Sequence, residues 1–253
     1  WGDGAAQVGV SLVSVTSFIT DPSADPHSYE TNARNQLALK KAALVVANGG
    51  GYDDFVDTMV SSLPSPPPVL HAYSIAATGG DNEHVWYDLP SVRAVADEIA
   101  TRLSVIDPAN ATTFAANAKA FDAQIADIEH QVAEIKTAAG GAPVAITEPV
   151  PLYLLDEAGL ENLTPPEFSD AIEEETDVAP AVLARTLALF TGHQVRALVY
   201  NEQTTGPQTE KVLAAARRAG IPVVAVTETL PSGIGFVEWM QRTVTALGEG
   251  VAR

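Results

Sequence analysis

The chain has 253 residues, enough for one large domain or two small ones, each with its own hydrophobic core. Its formal net charge of −18 argues against nucleic acid as a partner, because phosphate backbones are bound by lysine and arginine. The absence of cysteine excludes disulfides, thiol catalysis and thiolate metal sites.

The first part of the chain alternates between strand and helix patterns. Apolar residues alternate and cluster in residues 8–15, which predicts a buried strand. The patterns that follow predict a helix at 32–43, a strand at 44–47, a helix at 53–62, a strand at 69–76 and a helix at 90–105. This alternation predicts an N-terminal α/β lobe with a parallel sheet over residues 1–107.

A single long helix is predicted over residues 108–140. Apolar residues recur there at alternating spacings of four and three: Phe114, Ala118, Phe121, Ile125, Ile128, Val132 and Ile135. Asp107 can cap the helix, Pro108 suits its first position, and Gly140-Gly141 ends it. About 32 residues make a rod of roughly 48 Å, which predicts a spine that links two lobes. The alternative is one long helix packed on a single sheet.

Strand–helix alternation resumes beyond this helix. Strands are predicted at 144–147, 195–200 and 223–226, helices at 179–190, 208–219 and 236–247, and an acidic loop at 162–175. These elements predict a C-terminal α/β lobe over residues 141–253. The predicted fold class is therefore α/β, with two parallel-sheet lobes joined by a single long rigid helix.

Four side chains able to bind metal lie just beyond predicted strands. Ligands bind parallel α/β sheets beyond the carboxyl ends of the strands, and His27, His84, Glu148 and Glu228 all lie at such positions, two in each half. Two imidazoles and two carboxylates suit a divalent ion such as zinc or manganese. Glu202 lies beyond another strand, where it either orients a ligand through a hydrogen bond or is a plain surface residue.

Two short motifs give the chain a family resemblance. Asp25-Pro26-His27-Ser28-Tyr29-Glu30 resembles the first metal-ligand motif of the zinc/manganese solute-binding proteins that serve ABC importers. Residues 82–88, Asn-Glu-His-Val-Trp-Tyr-Asp, resemble their second histidine motif, which normally reads N-P-H-x-W. The resemblance continues through the long helix into both C-terminal ligand strands.

The resemblance implies two α/β lobes with the metal held in the cleft between them. It places His27 and His84 as ligands from the first lobe, and Glu148 and Glu228 as ligands from the second. Glu228 departs from the family pattern, which usually has aspartate there. The family's first strand is missing before Trp1, and no histidine-rich loop is present.

The predicted function is that of an extracytoplasmic solute-binding protein, at the periplasm or cell surface and lipid-anchored before processing. It captures a divalent transition metal as cargo, with zinc slightly preferred, manganese next and iron left open, and delivers it to an ABC permease. We expect a monomer without enzymatic activity. The alternatives are a metal-dependent hydrolase that uses the same His/Glu cluster, and an adhesin or assembly protein that shares the fold.

Overall fold

The computed structural model describes residues 1–21, 29–76 and 78–252 of the chain. These residues group into two compact units, Trp1–Ala126 and Asp127–Arg253. The division falls within helix α6 (Ala111–Ala139). The predicted limits at 107/108 and 140/141, which separate the long helix from both lobes, remain a prediction.

The first unit is built around two short parallel strands. Its described residues form, in chain order, α1 (Gly2–Gly9), α2 (Ala33–Lys41), β1 (Val45–Ala47), α3 (Asp54–Ser61), β2 (Val69–His71), α4 (Ala72–Ala76) and α5 (Leu89–Ile106). Strands β1 and β2 pair in parallel, with Val45 opposite Val69 and Ala47 opposite His71. Helices α2 and α3 pack on β1 through a small core formed by Leu39, Val45, Ala47, Val56, Met59 and Val60.

The predicted strand at residues 8–15 is wrong. Helix α1 extends to Gly9, and a 3-10 turn follows at Val10–Leu12. A Cβ atom on Gly9 would lie 2.0 Å from Cγ2 of Val13, so the chain turns back closely on itself there. Val10 and Leu12 are 48% and 42% exposed, and no strand among the described residues pairs with this segment. The alternation therefore does not reflect burial in a sheet.

The second unit contains a four-stranded parallel sheet. Its elements after α6 are β3 (Pro143–Ile146), α7 (Leu152–Glu157), β4 (Glu161–Asn162), α8 (Pro166–Glu173), α9 (Pro180–Thr191), β5 (Ala197–Asn201), α10 (Pro207–Arg218), β6 (Val223–Val226) and α11 (Phe236–Val251). The strand order is β4-β3-β5-β6. Every residue of β5 is buried, as expected for a central strand of a parallel sheet covered on both faces.

Helices cover both faces of this sheet. Ala145, Leu198 and Tyr200 pack with apolar residues of α8, α9 and α10. On the opposite face, α11 approaches so closely that a Cβ on Gly250 would lie 2.7 Å from Cγ2 of Val224. With both faces covered, the carboxyl edge of the strands is where polar side chains can converge.

The apolar stripe predicted for the long helix is confirmed as a buried stripe. Its seven residues are each at most 8% exposed: Phe114, Ala118, Phe121, Ile125, Ile128, Val132 and Ile135. The α-helix begins at Ala111, because Pro108–Asn110 form a 3-10 turn before it. No helix in the described part of the chain is both long and apolar enough to cross a membrane. That α6 holds two lobes rigidly remains a prediction.

Two other predicted segments are wrong in part. The predicted strand at 69–76 ends at His71 and continues as α4, because a short apolar run fits either helix or strand. The predicted acidic loop at 162–175 contains α8, in which Phe168 and Ile172 are both buried four residues apart on one face. The acidic residues of this segment concealed its helical spacing.

Candidate metal centre

His84 is a fully buried histidine in the first unit, at 0% exposure. Its Nδ1 lies 2.6 Å from Oδ1 of Asn82, and the same oxygen accepts the backbone N–H of His84 at 3.1 Å. Because a backbone N–H can only donate, the atom of Asn82 that faces the ring is its oxygen, so Nδ1 carries the ring proton. Nε2 then presents the lone pair that a metal ion requires.

The loop that carries His84 is attached to the end of β1. Asn48 follows β1 and donates from Nδ2 to the carbonyl oxygen of Glu83 at 2.9 Å. The carboxylate of Asp53 in turn accepts the backbone N–H of Asn48 at 2.8 Å and that of Gly49 at 2.7 Å. These bonds fix the position of the loop relative to the sheet.

Aromatic rings enclose the imidazole of His84. The ring of Trp86 lies 5.1 Å from it, centroid to centroid, at an interplanar angle of 68°. The ring of Tyr52 lies at 5.9 Å and 71°. Edge-on aromatic packing restricts the ring's rotation, so the imidazole is held in one orientation before any ligand binds.

In the second unit, Glu148 and Glu228 lie at the carboxyl edge of the sheet. Each follows its strand by two residues, β3 ending at Ile146 and β6 at Val226. Strand β5 lies between β3 and β6 in the sheet. The two side chains are only 2% and 8% exposed, although carboxylates are rarely buried without a compensating partner.

Asn201, the last residue of the intervening strand, lies beside the two carboxylates. Its Nδ2 donates to Oε1 of Glu228 at 2.8 Å and to Oγ1 of Thr204 at 3.2 Å. The side chains of Asn201 and Thr204 also lower the pKa of Glu148, so both lie near its carboxylate. Two carboxylates that are distant in the chain therefore lie beside one buried amide.

The loop that carries Glu228 is held by Gln203. Oε1 of Gln203 accepts the backbone N–H of Glu228 at 2.5 Å and that of Thr229 at 3.0 Å. Nε2 of Gln203 donates to Oγ1 of Thr229 at 2.5 Å. The side chain of Gln203 thus closes the loop after β6 and limits where the Glu228 carboxylate can lie.

Burial and charge repulsion change the titration of Glu148. Loss of solvent is the largest cause and the nearby Glu228 carboxylate is the next; together they raise the pKa of Glu148 to about 8. The polar side chains of Asn201 and Thr204 lower the pKa in part. At neutral pH without a cation, Glu148 therefore holds a proton.

The structure describes three of the four predicted ligands. His27 lies outside the described residues, so its role remains a prediction. His84 is buried in the first unit, and Glu148 and Glu228 lie close together in the second. That these residues bind one ion is likewise a prediction.

Of the two alternatives for Glu202, a residue that orients a ligand or a plain surface residue, the structure favours the surface residue, because Glu202 is exposed. Its neighbours Asn201 and Gln203 make the contacts with Glu228 instead. Neither residue is predicted from the sequence when only imidazoles and carboxylates beyond strands are considered as ligands. Asn201 does carry a sequence signal, an amide side chain at the end of a predicted strand.

Each unit of this α/β protein thus carries buried side chains of the types that bind metal ions: a histidine of defined tautomer in the first, and two carboxylates at the carboxyl edge of a parallel sheet in the second. A family model described as ZnuA, zinc-uptake complex component A, periplasmic, matches residues 1–250. The chain belongs to this family. The resemblance inferred from the histidine motifs is thereby confirmed.

Curated relatives match part of the chain. The manganese-binding lipoprotein MntA of Halalkalibacterium halodurans is 24% identical over 136 residues, which cover 52% of this chain and 45% of that protein. The iron-binding protein YfeA of Yersinia pestis is 25% identical over 130 residues, covering 48% and 42%. The matched region therefore spans less than half the length of either relative.

A solved structure matches nearly the whole chain. The solute-binding protein FpvC of Pseudomonas aeruginosa, in complex with Mn²⁺, has a TM-score of 0.77 at 23% identity and covers 98% of this chain and 94% of its own. This likeness, together with the parallel sheets, confirms the predicted α/β fold class. The family is described by zinc uptake and not by an enzymatic activity, which agrees with the prediction of a protein without enzymatic activity.

Proposed function

We propose that this chain is an extracytoplasmic solute-binding protein that captures a divalent transition metal and delivers it to an ABC permease. The observation that carries the proposal is the buried pair formed by Glu148 and Glu228, at 2% and 8% exposure. Two carboxylates buried together are unfavourable unless a proton or a cation offsets their charge. A divalent cation offsets both charges at once.

The proposed ligands are His27, His84, Glu148 and Glu228. The tautomer of His84 supports its role as a metal ligand, because Nε2 presents a lone pair while Asn82 accepts the proton of Nδ1. Glu148 is proposed as a ligand because its Oε2 is buried and lacks a hydrogen-bond partner among the described residues. His27 is proposed from its sequence motif. Glu228 is proposed because it lies near Glu148 at the edge of the sheet.

Zinc is the proposed cargo, ahead of manganese, with iron as a further candidate. Imidazole nitrogen suits zinc, and two carboxylates admit manganese as well. The family is described by zinc uptake, whereas the names of two relatives give manganese and iron. At equal availability the affinity order of divalent metals favours zinc over manganese.

The proposed location is outside the cytoplasm, at the periplasm or the cell surface, with a lipid anchor before processing. The family description as periplasmic and the name of one relative as a lipoprotein support it. A permease in the membrane is the proposed partner, and the protein is proposed to act as a monomer. The net charge of −18 supports the proposal that nucleic acid is not a partner.

The test is calorimetric titration of the chelator-stripped chain with zinc and with manganese. We expect one ion per chain and a loss of affinity of about 100-fold or more in both His84→Ala and Glu148→Gln. The first removes a donor nitrogen, and the second replaces a charged carboxylate by a neutral amide. The matched control is His130→Ala, since the His130 side chain is 76% exposed on α6. The control should bind as the unmodified chain does.

Absence of saturable binding would contradict the proposal and favour an adhesin or assembly protein of the same fold. Binding that survives both His84→Ala and Glu148→Gln would contradict the ligand set while leaving metal binding itself intact.

A further inference from the structure

The two carboxylates of the second unit are carried by strands in different positions of the sheet. Glu148 follows β3, which has β4 on one side and β5 on the other, whereas Glu228 follows β6, an edge strand of the described sheet. The pairing of β6 with β5 ends where Val226 lies opposite Asn201. Because an edge strand has a neighbour on one side only, support for Glu228 from the sheet must come from the β5 side.

Gln203, in the loop that follows β5, supplies this support through its side chain. Its Oε1 accepts the backbone N–H of Glu228 at 2.5 Å and that of Thr229 at 3.0 Å, and its Nε2 donates to Oγ1 of Thr229 at 2.5 Å. One residue earlier, the backbone N–H of Glu202 still donates to the Val226 carbonyl at 3.0 Å. The side chain of Gln203 thus continues the contact between the two segments where the strand pairing stops.

The chain turns at Glu228, because two successive N–H groups meet one oxygen there. In an extended strand, successive backbone N–H groups point to opposite sides, so a single acceptor cannot bind both. The amide of Gln203 therefore holds the backbone out of the strand conformation at Glu228 and Thr229. Since the direction of a side chain follows from its backbone, this turn sets where the Glu228 carboxylate lies, with its Oε1 at 2.8 Å from Nδ2 of Asn201.

We propose that Gln203 is a positioning residue for Glu228, which fixes the turn after β6 and so holds the carboxylate ready for a metal ion. This inference rests on the proposed function, because Glu228 is one of the proposed ligands. Gln203 acts through Glu228 and does not itself bind the ion. A carboxylate that is already held in place loses less freedom on binding, and partners of this kind change metal affinity by about 10- to 100-fold.

The test compares the zinc dissociation constants of the full chain, Gln203→Met and Gln203→Glu, measured by competition with a chromophoric chelator. Methionine keeps the length of the side chain but lacks the oxygen acceptor, so Gln203→Met should bind zinc about 10- to 100-fold more weakly. Glutamate keeps an acceptor for both N–H groups, and the hydroxyl of Thr229 can turn to donate to it. Gln203→Glu should therefore bind zinc about 10-fold more tightly than Gln203→Met.

A double-mutant cycle separates positioning of Glu228 from general support of the fold. When Gln203→Met is added to Glu228→Gln, zinc binding should weaken by less than about 3-fold, because the carboxylate that Gln203 positions is already gone. Gln203→Glu should not strengthen zinc binding in the same background, which excludes an effect of its charge alone. The matched control is Gln124→Met, since Gln124 is exposed on α6 and its Nε2 donates to the Ala120 carbonyl at 3.3 Å. The control should bind zinc as the unmodified chain does.

The outcomes separate the inference from the proposed function. If Glu228→Gln weakens zinc binding and Gln203→Met does not, the inference is wrong and the function stands. An equal loss from Gln203→Met with and without the Glu228 carboxylate, or equally weak binding by Gln203→Glu and Gln203→Met, would also overturn it, since Gln203 would then only support the fold. If Glu228→Gln binds zinc as tightly as the unmodified chain, Glu228 is not a ligand and the inference is wrong. If the unmodified chain binds no zinc, the proposed function fails first.

Discussion

At the scale of single residues, the surroundings of a side chain decide its chemistry. Glu148 and Glu134 are the same amino acid, yet the side chain of Glu134 is 68% exposed on α6 and Glu148 is buried beside a second carboxylate. Burial, followed by the charge of Glu228, raises the pKa of Glu148 to about 8. Glu148 in the folded, metal-free protein therefore keeps a proton that it loses in the unfolded chain.

This difference predicts how stability depends on pH. Between the unfolded pKa of about 4.3 and the folded pKa of about 8, the folded state binds more protons than the unfolded state, so the free energy of unfolding falls as pH rises. Thermal unfolding of the metal-free chain should show a falling melting temperature from about pH 5 to pH 8. Glu148→Gln should reduce that slope and stabilise the metal-free chain at pH 8 by about 1 to 3 kcal/mol.

The control for this measurement is Glu134→Gln, which alters an exposed carboxylate and should leave the slope unchanged. A slope that is the same in Glu148→Gln and in the unmodified chain would show that another group governs it.

At the scale of elements, close approach between a helix and a sheet sets the geometry of the second unit. Helix α11 packs on the face of the sheet that carries Ala197 and Val224, and Gly250 is the point of contact. This packing covers one face of β5 and β6, and Asn201 and Glu228 lie at the carboxyl ends of these strands.

Gly250→Ala tests this packing. Alanine ordinarily stabilises a helix relative to glycine, but here its Cβ would lie 2.7 Å from Cγ2 of Val224. We expect a net loss of about 1 to 3 kcal/mol in chemical denaturation, which Val224→Ala should partly restore. The control is Gly4→Ala in α1, where an added Cβ meets nothing within 4 Å and stability should rise by up to about 1 kcal/mol. Stabilisation by Gly250→Ala would contradict the close approach.

At the scale of the whole molecule, the proposed site takes ligands from both halves of the chain. His84 belongs to the first compact unit, and Glu148 and Glu228 belong to the second. An ion that binds only the folded chain stabilises it by mass action, whichever unit supplies the ligands. If substituting a ligand in the first unit and substituting one in the second each remove this stabilisation, the ion takes ligands from both units.

Zinc should therefore raise the melting temperature of the metal-free chain. At a free zinc concentration about 100 times the dissociation constant, the expected stabilisation is about 2.7 kcal/mol. His84→Ala in the first unit and Glu228→Gln in the second should each abolish most of it, whereas His130→Ala should not. If only Glu228→Gln reduced the stabilisation, the ion would be held by the second unit without His84.

Patterns within a short stretch predicted the regular parts of this protein well. The alternating spacing of four and three predicted the buried stripe of α6, and the buried apolar run at 195–200 predicted the central strand β5. The same logic failed at residues 8–15, where alternation exists but no neighbouring strand in the described residues pairs with it. Periodicity reports which face of an element is apolar, and it does not report whether a partner is present.

The sequence alone determined the α/β class, the long helix and the placing of Glu148 and Glu228 just beyond two strands, because each depends on residues close together in the chain. Only the tertiary structure decided that the amide of Asn201 donates to Glu228, and that Glu202 beside it is exposed. It also decided the raised pKa of Glu148, since burial and the approach of Glu228 arise only when β3, β5 and β6 pair. Interactions between residues distant in the chain leave no periodic trace in the sequence.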